Sequence, residues 1–160
     1  MWVGNCFGYI MRFLTRTPVR TFIVYPIATV IWEFIRQGSN IRLNLGFLPL
    51  MVWGYLQYRW CGRYRIRLGR GGPGLDTPPE KLVSTGAYAY TRNPMYLGHL
   101  IFLTGLTLTL RSWFAALITI AVALWFHIRV IGDEKKLLRV LGPPYEAYLK
   151  SVKRWIPGIF

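Results

Sequence analysis

The chain has 160 residues, of which 53% are hydrophobic and 16% aromatic, and its formal net charge is +14. This length predicts one domain, residues 1–160. The high apolar content argues against a soluble nucleic-acid binder, because the charges stand between apolar runs and are not spread along helical faces. Cys6 and Cys61 form no metal-binding spacing. The composition therefore predicts an all-α integral membrane helical bundle with neither a nucleic-acid partner nor a metal.

The N-terminal stretch differs from a signal peptide. Polar residues and glycines interrupt residues 1–14, and no small-residue cleavage site follows them. A short interfacial helix that ends near Pro18 fits this pattern better. We therefore predict an interfacial arm over residues 1–18.

Four later segments are apolar enough to cross a bilayer, which takes about 20 residues. They are Thr21–Ile35, Leu43–Trp60, Met95–Leu110 and Trp113–Ile131. Pro49 and Gly54 interrupt the second of these segments, which is the weakest of the four. Only Arg111 and Ser112 separate the last two, which predicts an antiparallel hairpin.

The basic residues predict the orientation of this bundle. Seventeen of the twenty Lys and Arg residues lie in the N-terminal arm, the loop after the second span and the tail. Basic residues concentrate on the cytoplasmic side of membrane proteins. We therefore predict a multi-pass protein with four transmembrane helices and both termini in the cytoplasm. Residues 61–92 form a cytoplasmic loop, and residues 132–160 form a cytoplasmic helical cap.

The centre of the long loop is rich in glycine and proline. From Arg70 to Pro79 the density of these residues excludes regular structure. A phosphate-binding glycine loop is a poor interpretation, because the lysine of that motif is absent and no strand precedes it. A flexible lid or linker is the better one.

A polar cluster opens the third span. Pro94 suits the first turn of a helix, and Asn93 then stands near the N-cap, where its side chain can accept from free backbone N–H groups. Arg92 beside this helix start makes it suitable for a carboxylate or phosphate. The alternative is that Arg92 only anchors the helix to lipid phosphates.

Tyr96 and His99 are three residues apart, so they share a face of this helix. His99 lies about one turn inside the membrane boundary. A structural hydrogen bond to a neighbouring helix is the alternative role for His99, and for His127 it is the favoured one.

A second polar cluster ends the fourth span. Arg129 and Asp133 are four residues apart and can pair along a helix, while Glu134 projects about 100° away. One acid can therefore hold Arg129 or Arg92 while the other faces a ligand. The alternative is a solvated helix start, since basic residues follow at once.

Gly142 and the two prolines after it separate two amphipathic helices of the tail. The second helix carries an apolar stripe, formed by Tyr145, Tyr148, Leu149 and Val152. We expect this tail to lie on the cytoplasmic face and to close the bundle.

These residues resemble the integral-membrane methyltransferase family that includes isoprenylcysteine carboxyl methyltransferase and phosphatidylethanolamine N-methyltransferase. The first family motif, G-x-Y-x-x-x-R-H/N-P-x-Y-x-G, is matched by Gly86, Tyr88, Arg92, Asn93, Pro94, Tyr96 and Gly98. After two apolar spans, R-x-x-x-E-E-x-x-L and G-x-x-Y-x-x-Y-x-x-x-V-x-R-x-I-P are matched by Arg129, Asp133, Glu134, Leu137, Gly142, Tyr145, Tyr148, Val152, Arg154, Ile156 and Pro157. Asn93 stands where many members have His, and Asp133 replaces the first Glu.

The resemblance implies S-adenosylmethionine as the cofactor, bound at the cytoplasmic edge of the last two spans and covered by the tail. Carried over position by position, its pocket is lined by Tyr90, Arg92, Asn93, Pro94, Tyr96, Gly98, His99 and Glu134. The cofactor's carboxylate suits Arg92, and its ammonium or ribose hydroxyls suit Glu134.

The implied reaction is methyl transfer to a lipidic or hydrophobic acceptor, which enters from the lipid. The acceptors rank as phospholipid amine, then isoprenylcysteine-like or other carboxylate, then thiol. An amine needs a base, for which Glu134 or Asp133 is the first candidate and His99 the second. Arg129 can hold an anionic acceptor group.

Two other functions compete with this one. A non-catalytic membrane protein could bind anionic lipid through its basic cytoplasmic face. A small transporter or channel is the weakest alternative, because no ionisable residue lies at the centre of a predicted span.

Overall fold

The computed structural model describes residues 15–38, 40–72 and 77–156 of the chain. Most of the predicted interfacial arm, the centre of the Gly- and Pro-rich loop and the last four residues, with Pro157, lie outside the described residues.

The described part of the chain is helical and contains no strand, which confirms the predicted all-α class. Five helices follow one another: α1 Thr17–Gln37, α2 Leu48–Gly69, α3 Pro94–Leu110, α4 Trp113–Leu141 and α5 Pro143–Ser151. A π-helical turn, Arg20–Val24, lies inside α1, and short 3-10 turns occupy Leu45–Phe47 and Gly86–Ala89.

Local signals set the helix ends. Pro94 and Pro143 open α3 and α5, since a first-turn proline gives up no hydrogen bond there. Ser112 caps α4 by accepting from the backbone N–H of Ala115 at 3.2 Å. Gly38 and Gly142 end α1 and α4 with φ of 62°, a left-handed conformation that glycine adopts without strain.

Two helices run further than the hydropathy predicts. The second predicted span ends at Trp60, whereas α2 continues to Gly69. The fourth ends at Ile131, whereas α4 continues to Leu141, so the cap's first part is one helix with the span. Three arginines recur in the extension of α2, and Glu, Lys, Arg and Leu dominate that of α4. All four are strong helix formers. The apolar pattern ends there, but the helix propensity does not.

Of the helices within residues 15–38, 40–72 and 77–156, α1 and α4 are long and apolar enough to cross a membrane. Both keep many of their apolar side chains exposed: Ile31 of α1 is 54% exposed, and Ile120 of α4 is 58% exposed. Such contiguous apolar surface suits lipid and not water. Together with α3, a shorter apolar helix, these helices support a membrane protein.

Helices α2 and α3 form the closest pair of the bundle, and glycines make that contact possible. A Cβ on Gly54 would lie 2.5 Å from the backbone N of Phe102, and one on Gly98 would lie 2.7 Å from the carbonyl O of Gly54. Gly105 likewise approaches the backbone of Met51. The two backbones touch where no side chain fits between them, which fixes the position of α3.

The apolar core lies between α3 and α4. Leu103, Phe126 and Val130 are almost fully buried in it, and Trp155 from the tail packs against the same cluster. Burial of Trp155 holds the tail against the end of the bundle at which α3 begins and α4 becomes polar.

The opposite end of the bundle is joined by a buried carboxylate. Glu33 of α1 is fully buried and accepts a hydrogen bond of 2.5 Å from the hydroxyl of Ser112, in the turn between α3 and α4. Arg36 donates to the same carboxylate at 2.7 Å. This cluster links α1 to the hairpin far from the polar clusters of Arg92 and Arg129.

Candidate functional site

A cavity of about 590 Å³ opens where α3 begins and α4 becomes polar. Its walls come from the start of α1, from α2, from the segment that enters α3, and from α4. The volume lies within the range of about 300–1,000 Å³ typical of small-molecule sites. The lining residues are Thr15, Arg16, Thr17, Pro18, Tyr58, Arg65, Tyr88, Arg92, Asn93, Pro94, Met95, Tyr96, His99, Arg129 and Asp133.

A second cavity of about 70 Å³ adjoins the first and shares six of its lining residues, among them Arg92, Tyr96 and Asp133. It extends toward Glu134 and Tyr145 under the tail. A space of this size holds a few water molecules at most. The larger cavity is therefore the ligand-sized one.

A carboxylate between two guanidinium groups forms the polar centre beside these cavities. Glu134 lies 3.3 Å from Nε of Arg92 and accepts from Arg154 at 2.8 Å and 3.2 Å. The hydrogen bond to this carboxylate raises the pKa of Arg154. Glu134 is 8% exposed, so the pair of arginines supplies the compensation that a buried carboxylate needs.

The tail is tied to the same segment by backbone contacts. The carbonyl O of Arg154 accepts from the hydroxyl of Thr91 at 3.0 Å and from the amide of Asn93 at 3.1 Å. The backbone N–H of Arg92 donates to the carbonyl O of Lys153 at 3.0 Å. The tail therefore fixes the position of the residues that enter α3.

Buried tyrosines continue this link. The hydroxyl of Tyr148 donates to the carbonyl O of Tyr88 at 2.6 Å, and the hydroxyl of Tyr88 donates to the carbonyl O of Cys61 at 3.3 Å. Burial raises the pKa of Tyr148 to about 12 and raises the pKa of Tyr88 as well. Both phenols therefore stay protonated at neutral pH and keep α5, the loop and α2 connected.

Asp133 lies on the wall of the larger cavity. It accepts a hydrogen bond of 3.0 Å from the hydroxyl of Tyr96, and Nε of Arg129 lies 3.7 Å away. Arg129 also stands over the ring of Trp125 at 5.2 Å, a cation–π contact that orients it. The predicted pairing of Arg129 with Asp133 is confirmed, and the carboxylate of Asp133 keeps a face toward the cavity.

His99 lies deeper in the same wall and is 2% exposed. Its ring stacks on Phe22 at 4.8 Å and contacts the ring of Tyr58 at 4.6 Å. The Nδ1 atom of His99 is buried without a hydrogen-bond partner. A buried polar atom without a partner costs about 1–3 kcal/mol, so this atom favours a bound ligand.

The structure brings most of the predicted site residues to these cavities. Arg92, Asn93, Pro94, Tyr96, His99, Arg129 and Asp133 line the larger one, and Glu134 lines the smaller one. Two others lie elsewhere. Tyr90 is 68% exposed and Gly98 packs against α2, and neither lines either cavity.

The predicted N-cap role of Asn93 is partly wrong. Asn93 occupies the N-cap position of α3, but its side chain accepts no hydrogen bond from the helix. Its amide instead donates to the tail at Arg154. The helix start keeps its free N–H groups, because the side chain expected to satisfy them is used to hold the tail.

Several residues of the site were missing from the predicted set. Among them are Tyr58, Arg65, Tyr88 and Arg154. Tyr88 and Arg154 do stand at motif positions in the sequence, which was the available signal. Tyr58 and Arg65 lie on α2, outside the motif, and only the close packing of α2 on α3 brings them to the cavity.

Comparison with known proteins agrees with this geometry. Residues 68–141 match the family model described as phospholipid methyltransferase. Over 80 residues the chain is 36% identical to the protein-S-isoprenylcysteine O-methyltransferase of Schizosaccharomyces pombe. The match covers 49% of this chain and 34% of that relative, so the chain spans about a third of the relative's length. No solved structure matches significantly.

The matched region contains the start of α3, the hairpin and the acidic end of α4, which supply part of the wall of the larger cavity. The resemblance in the sequence is confirmed by both comparisons. Residues 68–141 of the chain are thus similar to the phospholipid methyltransferase family.

Proposed function

We propose that this protein transfers a methyl group from S-adenosylmethionine to a lipidic or hydrophobic acceptor in the membrane. The observation that carries the proposal is the cavity of about 590 Å³, lined by the family-matched residues Arg92, Tyr96, His99 and Asp133. A non-catalytic lipid binder is the alternative, but it needs no such cavity.

The donor set of the cavity fits this cofactor. Arg92 and the free N–H groups at the start of α3 suit its carboxylate. The unpartnered Nδ1 of His99 can accept a hydrogen bond from its ammonium. When bound, S-adenosylmethionine supplies a methyl group on a positively charged sulfur.

The contacts of the two acids point to different roles. Both carboxylate oxygens of Glu134 are engaged by Arg154, and Arg92 lies against one of them. Glu134 is therefore placed to orient Arg92. Asp133 is the better candidate for the base that an amine acceptor requires, because its carboxylate lines the cavity.

The remaining work of the site is alignment and exclusion of water, which methyl transfer requires more than covalent help. Tyr58 and His99 close the deep side of the cavity, and the tail covers the neighbouring space. Arg129, at the cavity wall, can hold an anionic group of the acceptor.

The acceptor enters from the lipid between the exposed apolar helices. By chemistry we rank phospholipid amines first, then isoprenylcysteine-like carboxylates, then thiols. The relative from Schizosaccharomyces pombe is named for isoprenylcysteine O-methylation. The carboxylate acceptor is therefore tested beside the amine.

We propose further that the chain crosses the membrane four times, with both termini and the cap in the cytoplasm. Seventeen of twenty basic residues then face the cytoplasm. The support from the fold is that the start of α3 and the tail lie at the same end of the bundle.

The proposal is tested with methyl-labelled S-adenosylmethionine, the protein in vesicles, and phospholipid amine, prenylcysteine or lipophilic thiol in turn. We expect label in one organic-soluble product, and about 100-fold slower labelling by Asp133→Asn if the acceptor is an amine. Glu146→Gln, the control, removes an exposed carboxylate and should change nothing. Folded protein that labels none of the three acceptors would contradict the proposal.

A further inference from the structure

One face of α2 changes from apolar to basic along its length. Leu48 and Val52 are 42% and 57% exposed near its start. Arg59, Arg63 and Arg67 follow at four-residue spacing, and all three are exposed. With about 100° per residue, the three arginines fall within an arc of about 80°, and the two apolar residues continue the same arc.

The arginine stripe, defined as Arg59, Arg63 and Arg67, starts at the level of the candidate site. The amide of Gln57 donates to the carbonyl O of Pro94 at 3.0 Å, which places this turn of α2 beside the first residue of α3. Gly62, one turn on, faces Met95. The stripe therefore begins where the polar entry to α3 begins and continues away from the apolar core.

The order apolar then basic follows the profile of a bilayer. The stripe rises about 12 Å from Arg59 to Arg67. That length covers the headgroup zone, which is roughly 5–8 Å deep on each side. It also reaches the adjoining layer of water, within the Debye length of about 8 Å over which lipid charges are not fully screened. Arginine here meets lipid phosphates, which its planar guanidinium binds well.

The stripe is not neutralised by the protein. Among the described residues, no ion pair involves any of its three arginines. The nearby Arg65 differs, since it lines the cavity and points to the carbonyl O of Gly72 at 3.5 Å. The helix thus separates one inward arginine from three outward ones.

We propose that the arginine stripe of α2 docks anionic phospholipid headgroups and concentrates them beside the entry to the cavity. This surface is independent of methyl transfer, because it lies on the outer face of α2 and shares no residue with the cavity lining. Its selectivity is for negative charge on the lipid and not for any particular acyl chain.

The test measures lipid preference with spin-labelled phosphatidylglycerol and phosphatidylcholine at trace level around the full-length protein in phosphatidylcholine vesicles. The variant Arg59→Gln/Arg63→Gln/Arg67→Gln removes the stripe. The matched control, Lys135→Gln/Lys136→Gln/Arg139→Gln, removes the same charge from exposed positions of α4.

We expect the natural sequence to prefer phosphatidylglycerol roughly fivefold. The stripe variant should lose most of this preference, and the control should keep it. Equal losses in both variants would overturn the proposal, because summed charge would then explain the binding. Binding of a DNA oligonucleotide is measured on the same variants. A stripe variant that loses this binding but keeps its preference for phosphatidylglycerol would also overturn the proposal.

Discussion

At the scale of single residues, the two adjacent acids of the site have different partners. The carboxylate of Glu134 pairs with Arg92 and Arg154, whereas that of Asp133 accepts a hydrogen bond from Tyr96, and Asp133 lines the cavity. Helical geometry anticipated that the two side chains diverge by about 100°. The partner Arg154 could not be inferred from spacing, because it reaches Glu134 only after the tail folds back over the bundle.

Glu134→Gln should destabilise the protein and remove binding of S-adenosylmethionine. Gln leaves two guanidinium groups without their counter-charge. We expect a loss of about 2 kcal/mol, less than the 3–5 kcal/mol of fully buried pairs, because the Arg154 side chain is 26% exposed. Unfolding in micelles, followed by circular dichroism, measures the first effect, and calorimetry of the folded protein the second.

Glu146→Gln is the matched control for this change, since it removes a carboxylate from an exposed pair with Lys150. It should leave both stability and binding as they were. If Glu134→Gln behaves like the control, Glu134 neither supports the tail nor positions Arg92.

At the scale of helices, the sequence anticipated the apolar parts of the bundle and the helix break at Gly142, but it missed that α2 and α4 continue unbroken beyond their apolar runs. The helix α3, Pro94–Leu110, and the turn at Arg111 and Ser112 agree with the hydropathy and with the capping residues. The end of α2 at Gly69 and the passage of α4 through Ile131 do not, because hydropathy follows the apolar run and does not show where a charged helix ends. The approach of α2 to α3 could not be foreseen either, since one sequence does not say what a glycine contacts.

Gly54→Ala should destabilise the contact between α2 and α3 although alanine is the better helix former. Its Cβ would meet the backbone of Phe102 at 2.5 Å and of Gly98 at 2.6 Å, so the helices must separate. We expect a net loss of about 2 kcal/mol, in the range of overpacked cores. Thermal unfolding in micelles checks this.

Gly132→Ala in α4 is the matched control, since a Cβ there meets nothing within 4 Å. It should be neutral or stabilise the protein by up to about 1 kcal/mol. Equal effects of the two substitutions would show that helix propensity determines the change in stability at both positions. The contact between α2 and α3 would then not be tightly packed at Gly54.

At the scale of the whole molecule, charge and apolar surface make one consistent arrangement. Exposed apolar side chains cover α1 and α4, and basic residues gather at the end where the tail, the loop and the start of α3 meet. The family motifs lie at this end, so the sequence could locate the site along the chain. It could not supply the cavity itself, because four helices distant in sequence build its walls.

Cysteine labelling from either side of the membrane should place the loop that contains Arg42 outside, and the long loop and the tail in the cytoplasm. In a background without Cys6 and Cys61, Glu80→Cys and Glu146→Cys should react with an impermeant maleimide only after the cytoplasmic side is opened. Arg42→Cys should react from the outside. All three positions are exposed. Labelling of all three from one side would rule out four crossings with this orientation.

The central claim is that the cavity beside Arg92 binds S-adenosylmethionine, and calorimetry on the purified protein tests it most directly. The natural sequence and Arg139→Ala, an exposed control on α4, should bind it at about one molecule per chain. Arg92→Ala, checked for folding by circular dichroism, should bind at least about tenfold more weakly, as expected when a charge-assisted contact is lost. Folded protein that binds no S-adenosylmethionine, or an Arg92→Ala variant that binds it like the control, would contradict the account.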